Sequence, residues 1–262
     1  MTPPGESPIA RAMGRRPLEH VAAIGHPAVF LDFDGTLVDL AATPDAIVVP
    51  SGLPDLLVGL ERALDGALAI VTGRRIADID RFLTPAVFVA AGVHGGEYRT
   101  GRGEIVRPTT EPIEPELVEA IRVLERLVPG VSVEPKGATL TVHWRAVPQA
   151  ADRIEVELRR ILEGGPDHLE ISHGRKVFEV CPRDITKGTA LDHLAALPAF
   201  RGRVPVMIGD DVSDESAFAA AERLGGVGYR VRGETFPAAV ADFDSPRQVR
   251  EWLSVLLSRI SR

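Results

Sequence analysis

At 262 residues, 45% of them apolar, the chain is long enough for one large domain or two moderate ones, each with a sizeable buried core. Its formal charge of -7, from 37 acidic and 30 basic residues, argues against a nucleic-acid partner, so a small anionic ligand must be drawn in by local cations. The single cysteine, Cys181, excludes an intramolecular disulfide, reads as a packing residue and fits a reducing cytoplasm, and no apolar run approaches the roughly 20 residues needed to cross a membrane.

Residues 1–27 read as an N-terminal leader, Pro-rich over 1–16 and carrying Arg11, Arg15 and Arg16. The run behind those arginines holds Gly25, His26 and Pro27 and flows straight into an apolar strand, so a cleavable signal is not expected there. That strand, Ala28, Val29, Phe30 and Leu31, ends abruptly in Asp32 and Asp34 with Gly35 behind them. A continuous apolar run suits a strand covered on both faces, and ligands of such sheets gather outside the carboxyl ends of the strands. Two carboxylates held together there need neutralising, for which hydrated magnesium is the natural candidate. With the cation bound, Asp32 is placed to attack phosphorus and Asp34 to handle the proton on the leaving or attacking oxygen.

Leu53, Leu56, Leu57, Leu60 and Leu64 then fall at helical spacing, with Ser51 as N-cap and Pro54 in the first turn. A second strand over 68–71 runs into Thr72, Gly73 and Arg74, a hydroxyl and a guanidinium able to hold a phosphate, Arg74 serving either the phosphate or the acidic loop further on. A helix over 76–82 and a third strand over 87–90 follow, and this strand, helix, strand order predicts a parallel sheet with helices on both sides. His94, flanked by Val93 and Gly95, is expected to line the site.

From Pro108 the texture changes. Pro108, Pro112 and Pro115 punctuate a linker before a helix bearing Leu117, Ile121, Leu124 and Val128. A short strand over 131–134 precedes an alternating one, with Leu140, Val142 and Trp144 facing one way and Thr139, Thr141 and His143 the other. A helix around Ile154, Leu158, Ile161 and Leu162 and strands over 168–172 and 176–180 complete an antiparallel sheet whose helices pack on one face, leaving the other free to cover something. The first texture resumes at 182–187. Thr186, Lys187 and Gly188 open a helix with Leu191, Leu194 and Leu197, and a strand over 204–208 delivers Asp210, Asp211 and Asp214, an acidic cluster able to complete a magnesium site. A helix from Ser213 is expected to turn Ala217, Phe218 and Leu224 inward, and a last helix spans 249–257.

The segments DFDGT, VTGR, TKG and GDDVSDE resemble, in type and order, the motifs of the haloacid dehalogenase superfamily of phosphatases. AGVHGGEYR, VEPKGATLTVHWR and GRKVFEV look like the trehalose-6-phosphate phosphatase family within it, and the likeness runs from about 29 to about 257. The resemblance implies an α/β fold, a Rossmann-like parallel-sheet hydrolase core over 28–109 and 183–262 with an inserted α+β cap subdomain over 110–182, hinged near Pro112 and Pro182. It implies Asp32 as the nucleophile of an aspartyl-phosphate, and Asp34 as the acid and base whose backbone carbonyl rather than side chain faces the metal. Thr72 and Lys187 would grip the phosphoryl group. Asp210 would join Asp32 and Asp34 at magnesium, with Asp211 and Asp214 ligating or orienting.

Glu134, Lys136, Arg175 and Glu179 resemble the family's sugar-gripping positions. One departure is Gly174-Arg175 where the family usually has Gly-Lys, which preserves charge but changes hydrogen-bond geometry. The expected reaction is hydrolysis of trehalose 6-phosphate to trehalose and phosphate, the last step of trehalose biosynthesis, in functional partnership with the synthase. Alternatives are a phosphatase of sucrose phosphate or glucosylglycerate phosphate, a phosphotransferase or mutase, or a catalytically silent sugar-phosphate sensor.

Overall fold

A computed structural model describes residues 25–41, 43–107, 112–174 and 176–260. The leader up to residue 24, Arg175 and the linker over 108–111 lie outside the described residues. In chain order the first elements are β1 (Pro27–Leu31), α1 (Leu53–Ala63), β2 (Leu68–Val71), α2 (Ile76–Leu83), β3 (Val89–Gly92) and β4 (Glu97–Arg99). Then come α3 (Pro115–Leu127), β5 (Ser132–Pro135), β6 (Leu140–His143), α4 (Ala151–Leu162), β7 (Leu169–Gly174) and β8 (Val177–Pro182). The chain closes with α5 (Lys187–Ala195), β9 (Val204–Gly209), α6 (Glu215–Arg223), β10 (Val227–Arg230) and α7 (Pro246–Ile260).

The first and last groups share a six-stranded sheet of order β10-β9-β1-β2-β3-β4, parallel throughout except for β4, which runs antiparallel to β3. Every residue of β1 is buried, and because successive side chains point to opposite faces, both faces are covered. Helices α1 and α7 pack together, and α5 and α6 form a second pair. The apolar stripes Leu53, Leu57 and Leu60 of α1 and Val249, Leu253 and Leu256 of α7 join the core that also holds Leu191 and Leu194 of α5.

The sequence expectations shift in five places. Pro27 opens β1 rather than ending the leader, a first-strand position where its missing N–H costs nothing. The third strand sits at Val89–Gly92, two residues later than expected. Strands β4 and β10 were not anticipated, because β4 is built of polar Glu97, Tyr98 and Arg99, all buried, and β10 contains Gly228, where a Cβ would collide with Phe218. Leu224 lies past the end of α6 and is 46% exposed instead of facing inward.

Elements α3 to β8 form a separate unit with an antiparallel sheet of order β5-β6-β8-β7. Its own apolar cluster gathers Ile121 and Leu124 of α3, Leu140 and Val142 of β6, Ile154 and Leu158 of α4, and Phe178 and Val180 of β8. The predicted alternation of β6 is present, since Leu140 and Val142 face these helices. The opposite face carries two cross-strand rows, Glu134-Thr141-Glu179-Ser172 and Ser132-His143-Val177-Gly174, and all eight residues line one cavity shared with the large sheet. Cys181 is buried and its thiol is pushed up to about 12, by burial first and by Glu179, Glu170 and Asp184, which leaves it a packing residue.

Candidate active site

Parallel pairing of β1 with β9 brings the site together. Leu31 lies opposite Ile208, and the Asp32 N–H donates to the Ile208 carbonyl at 2.9 Å, so Asp32 and Asp210 emerge side by side at the carboxyl edge. Oxygens of Asp32, Asp210 and Asp214 all lie within 4.8 Å of one another. Lys187, the first residue of α5, enters this buried cluster and donates from Nζ to Asp32 Oδ1 at 2.8 Å and to Asp214 Oδ1 at 2.7 Å. A capping box fixes its approach: Thr186 accepts from the Thr189 N–H while the Thr189 hydroxyl accepts from the Thr186 N–H. Asp214 Oδ2 also accepts the N–H groups of Asp210 and Asp211, at 3.1 and 3.0 Å, so this carboxylate braces the acidic loop as well as facing the cluster.

Burial, reinforced by Asp214 and Asp210, raises the Asp32 carboxyl well above its ordinary range despite the pull of Lys187. Burial alone would lower the Lys187 ammonium, but Asp214 and Asp32 outweigh it and hold Lys187 far above its ordinary range, so it stays charged. Lys187 bonds two of the three converging carboxylates, and an all-oxygen donor set of this kind suits a hard divalent cation such as magnesium.

The side chains of Asp34 and Asp211 have other partners. Both Asp34 oxygens engage the Arg74 guanidinium, Oδ2 with Nε at 2.5 Å and Oδ1 with Nη2 at 2.8 Å. A planar fork meets a carboxylate best in this arrangement, so Asp34 turns toward Arg74 rather than the cluster. Asp211 Oδ1 accepts from the Thr235 hydroxyl at 3.0 Å, and its side chain is not part of the converging trio. Arg74 holds Asp34 and lies over the Phe82 ring at 5.0 Å.

Thr72 is buried at the end of β2, its carbonyl accepting from the His94 N–H at 3.0 Å and the Arg74 carbonyl from the Val93 N–H at 2.9 Å. Val93 and His94 both adopt left-handed backbone, φ 51° and 55°, which a β-branched valine takes up only at a cost of about 1–3 kcal/mol. The turn aims His94 Nε2 at Glu179 Oε2, 2.9 Å away. Glu179 accepts from the Thr141 hydroxyl at 2.9 Å and lies 3.6 Å from Lys136 Nζ, which itself donates to the Gly73 carbonyl at 3.3 Å. Burial pushes Glu179 up, yet His94, Lys136 and Thr141 together hold it well below the usual carboxylate range.

Glu134 meets His143 at 3.0 Å, and that hydrogen bond, helped by Lys136 and Arg75 against burial, lowers its carboxyl. Two more contacts join the sheets: Arg75 Nη2 donates to the Pro135 carbonyl at 3.0 Å, and Arg145 Nη1 to the Ala41 carbonyl at 2.6 Å. Between the sheets lies a cavity of about 680 Å³, within the range of small-molecule sites. Asp32, Asp34, Thr72, Arg74, His94, Lys187, Asp210 and Asp211 line one side, and Glu134, Lys136 and Glu179 the other. Sequence reasoning did not single out Thr141, His143, Arg145, Ser132, Ser172 and His173, which also line it. The polar side of the alternating strand was a signal for Thr141 and His143; the two serines carried none.

The trehalose-phosphatase family profile matches residues 30–242. A probable trehalose-phosphate phosphatase of Sinorhizobium fredii is 42% identical over 223 residues, covering 82% of this chain and 80% of the relative. The trehalose-6-phosphate phosphatase of Escherichia coli is 36% identical over 206 residues, covering 78% and 77%. Among solved structures, the C-terminal domain of Candida albicans trehalose-6-phosphate phosphatase shares the fold, with a TM-score of 0.77 at 20% identity over 92% of this chain and 95% of that one.

Proposed function

Because the chain belongs to the trehalose-phosphatase family, whose members hydrolyse a phosphoric monoester, we propose that it cleaves trehalose 6-phosphate to trehalose and inorganic phosphate through an aspartyl-phosphate on Asp32. The observation that carries this reading is the convergence of Asp32, Asp210, Asp214 and Lys187 on one wall of a cavity whose facing wall is the polar side of the inserted sheet.

An Asp32 oxygen attacks phosphorus, the bond from phosphorus to the sugar oxygen breaks, and Asp34 gives that oxygen its proton. Asp34 then takes a proton from water as the water oxygen attacks the same phosphorus; the bond to Asp32 breaks and phosphate leaves. Magnesium held by Asp32 and Asp210, with Asp214 beside them and the Asp34 backbone carbonyl as a further donor, supplies charge neutralisation when bound. Lys187 and the Thr72 hydroxyl hold phosphoryl oxygens, and Arg74 fixes the Asp34 carboxylate at the cavity wall. Phosphate-monoester hydrolysis is among the slowest uncatalysed reactions, which is why so much fixed charge is concentrated on one group.

Residues 110–182 act as a cap over the core of 28–109 and 183–262, hinged near Pro112 and Pro182. The bonds from Arg75 to Pro135, Lys136 to Gly73, His94 to Glu179 and Arg145 to Ala41 support a closed arrangement in which water is excluded. Glu134, Lys136 and Glu179, with His94, read the sugar hydroxyls, since a wrong sugar leaves these polar groups unpaired. The substrate ties the enzyme functionally to the synthase that makes it.

Phosphate release from trehalose 6-phosphate, sucrose phosphate, glucosylglycerate phosphate and glucose 6-phosphate, with magnesium and with Asp32→Asn as control, tests the assignment. The expected result is highest kcat/KM on trehalose 6-phosphate and none in Asp32→Asn. Higher kcat/KM on another ester reassigns the substrate, and binding without release makes the protein a sensor.

A further inference from the structure

We propose that Glu97 is a positioning residue for the hydrolysis, anchoring the loop over 72–75 that carries the phosphoryl-gripping Thr72 and the Arg74 that holds the proton-handling Asp34; this rests on the phosphatase reading above. Glu97 sits on the edge strand β4, 2% exposed, and is not among the residues that line the cavity between the sheets. Its Oε1 accepts the Ile76 N–H at 2.5 Å, and its Oε2 pairs with Arg107 at 3.0 Å. Ile76 is the first residue of α2, and Arg75 at the N-cap offers no side-chain cap of its own. The first N–H groups of a helix have no partner within it, so Glu97 supplies from a distant strand the cap that the local sequence lacks.

The loop thus capped touches each part of the machinery. Thr72 faces the cavity, Arg74 grips Asp34 through two bonds, the Gly73 carbonyl receives Lys136, and Arg75 reaches the Pro135 carbonyl on β5. Three other tethers, from the N–H groups of Val93 and His94 to the carbonyls of Arg74 and Thr72 and from the Thr72 N–H to the Ala91 carbonyl, are main-chain bonds. The bond from Glu97 is a tether that a substitution can remove. Displacing a gripping group by about 1 Å is enough to cost up to roughly 100-fold in rate.

Three variants separate anchoring from charge balance. Glu97→Ala removes both bonds, Glu97→Gln keeps an acceptor for the Ile76 N–H but gives up the ion pair, and Arg107→Ala leaves the Ile76 bond intact. Kinetics with trehalose 6-phosphate and with para-nitrophenyl phosphate, well below each melting temperature, should show kcat of Glu97→Ala down about 10-fold or more on both esters. Glu97→Gln should recover to within about threefold and Arg107→Ala to within about twofold. Amide exchange should accelerate at Ile76 in Glu97→Ala and not in the other two. If Glu97→Ala melts below assay temperature, Glu97→Asp, too short by one methylene to reach, takes its place with the same expectation.

Wild-type kcat in Glu97→Ala, or equal losses in all three variants, would overturn the proposal. A wild-type protein that releases no phosphate from either ester would sink the phosphatase reading instead, and exchange at Ile76 would still decide whether Glu97 holds the loop.

Discussion

The close approach of the Asp32, Asp210 and Asp214 carboxylates, Asp214 and Asp210 both raising the Asp32 carboxyl, is a repulsion that a bound cation would relieve. Asp210→Asn removes one of the repelling charges, so without metal it should melt about 2–4 °C above the parent, the equivalent of about 1 kcal/mol in a domain of this size. Saturating magnesium should raise the melting temperature of the parent and raise that of the variant much less; a parent indifferent to magnesium would count against the metal assignment. Glu179 gives a second prediction at this scale. Its folded-state carboxyl lies below the ordinary 4.5, so the stability it contributes is fully present above that pH and is lost as pH falls toward the folded value. The urea midpoint of the parent should therefore exceed that of Glu179→Gln at neutral pH, with the gap closing below 4.5; a gap that ignores pH would mean Glu179 is not held ionised by His94 and Lys136. Asp32, Asp210, Asp214 and Lys187 were legible in the sequence because each ends or opens an apolar element. Which acid Arg74 would choose was not, since spacing along the chain says nothing of which fork lies nearest Asp34 in space.

At the scale of elements, α5 shows a cap with a chemical consequence. Thr186→Ala removes the hydroxyl that accepts from Thr189 and should cost about 1 kcal/mol of stability. Because Lys187 is the next residue, kcat should fall as well; a loss of stability with kcat intact would separate the cap from the placement of Lys187. Long strands and helices with one period were readable from sequence, as the apolar run of β1 and the alternation of β6 demonstrate. Strand β4 escaped because its buried charges are neutralised by partners distant in sequence, Arg99 by Asp80 at 2.7 Å and Glu97 by Arg107. Periodicity reads burial through apolarity, and a strand that buries ion pairs gives no such signal.

For the whole molecule, the residues proposed to read the sugar and those proposed to handle the phosphoryl group lie on different sheets, joined by polar contacts such as Arg75 to Pro135 and Lys136 to Gly73. Arg75→Ala deletes one of them, and KM for trehalose 6-phosphate should rise about threefold to tenfold, the equivalent of about 1 kcal/mol, while kcat on para-nitrophenyl phosphate stays near the parent. Equal effects on both esters would mean that Arg75 acts on the phosphoryl group and not on the fit of the inserted unit. The two-unit plan was legible from the change of texture near Pro108, but the cross-strand rows that face the cavity depend on register, which pairing fixes and sequence alone does not.

The central position of β1 has a consequence for how the chain acquires its activity. One flank of β1 is occupied by β2 soon after synthesis, whereas the other belongs to β9 and must wait until the whole intervening unit has been made. Lys187 and Asp32, joined in the finished site, are 155 residues apart along the polypeptide. A nascent chain released before β9 would expose a bare apolar edge at its centre, prone to pairing with neighbours, and would lack Asp210 beside Asp32. Acquisition of turnover during refolding should accordingly trail the return of helical signal, because β9, a long-range partner of β1, is the strand that brings Asp210 beside Asp32.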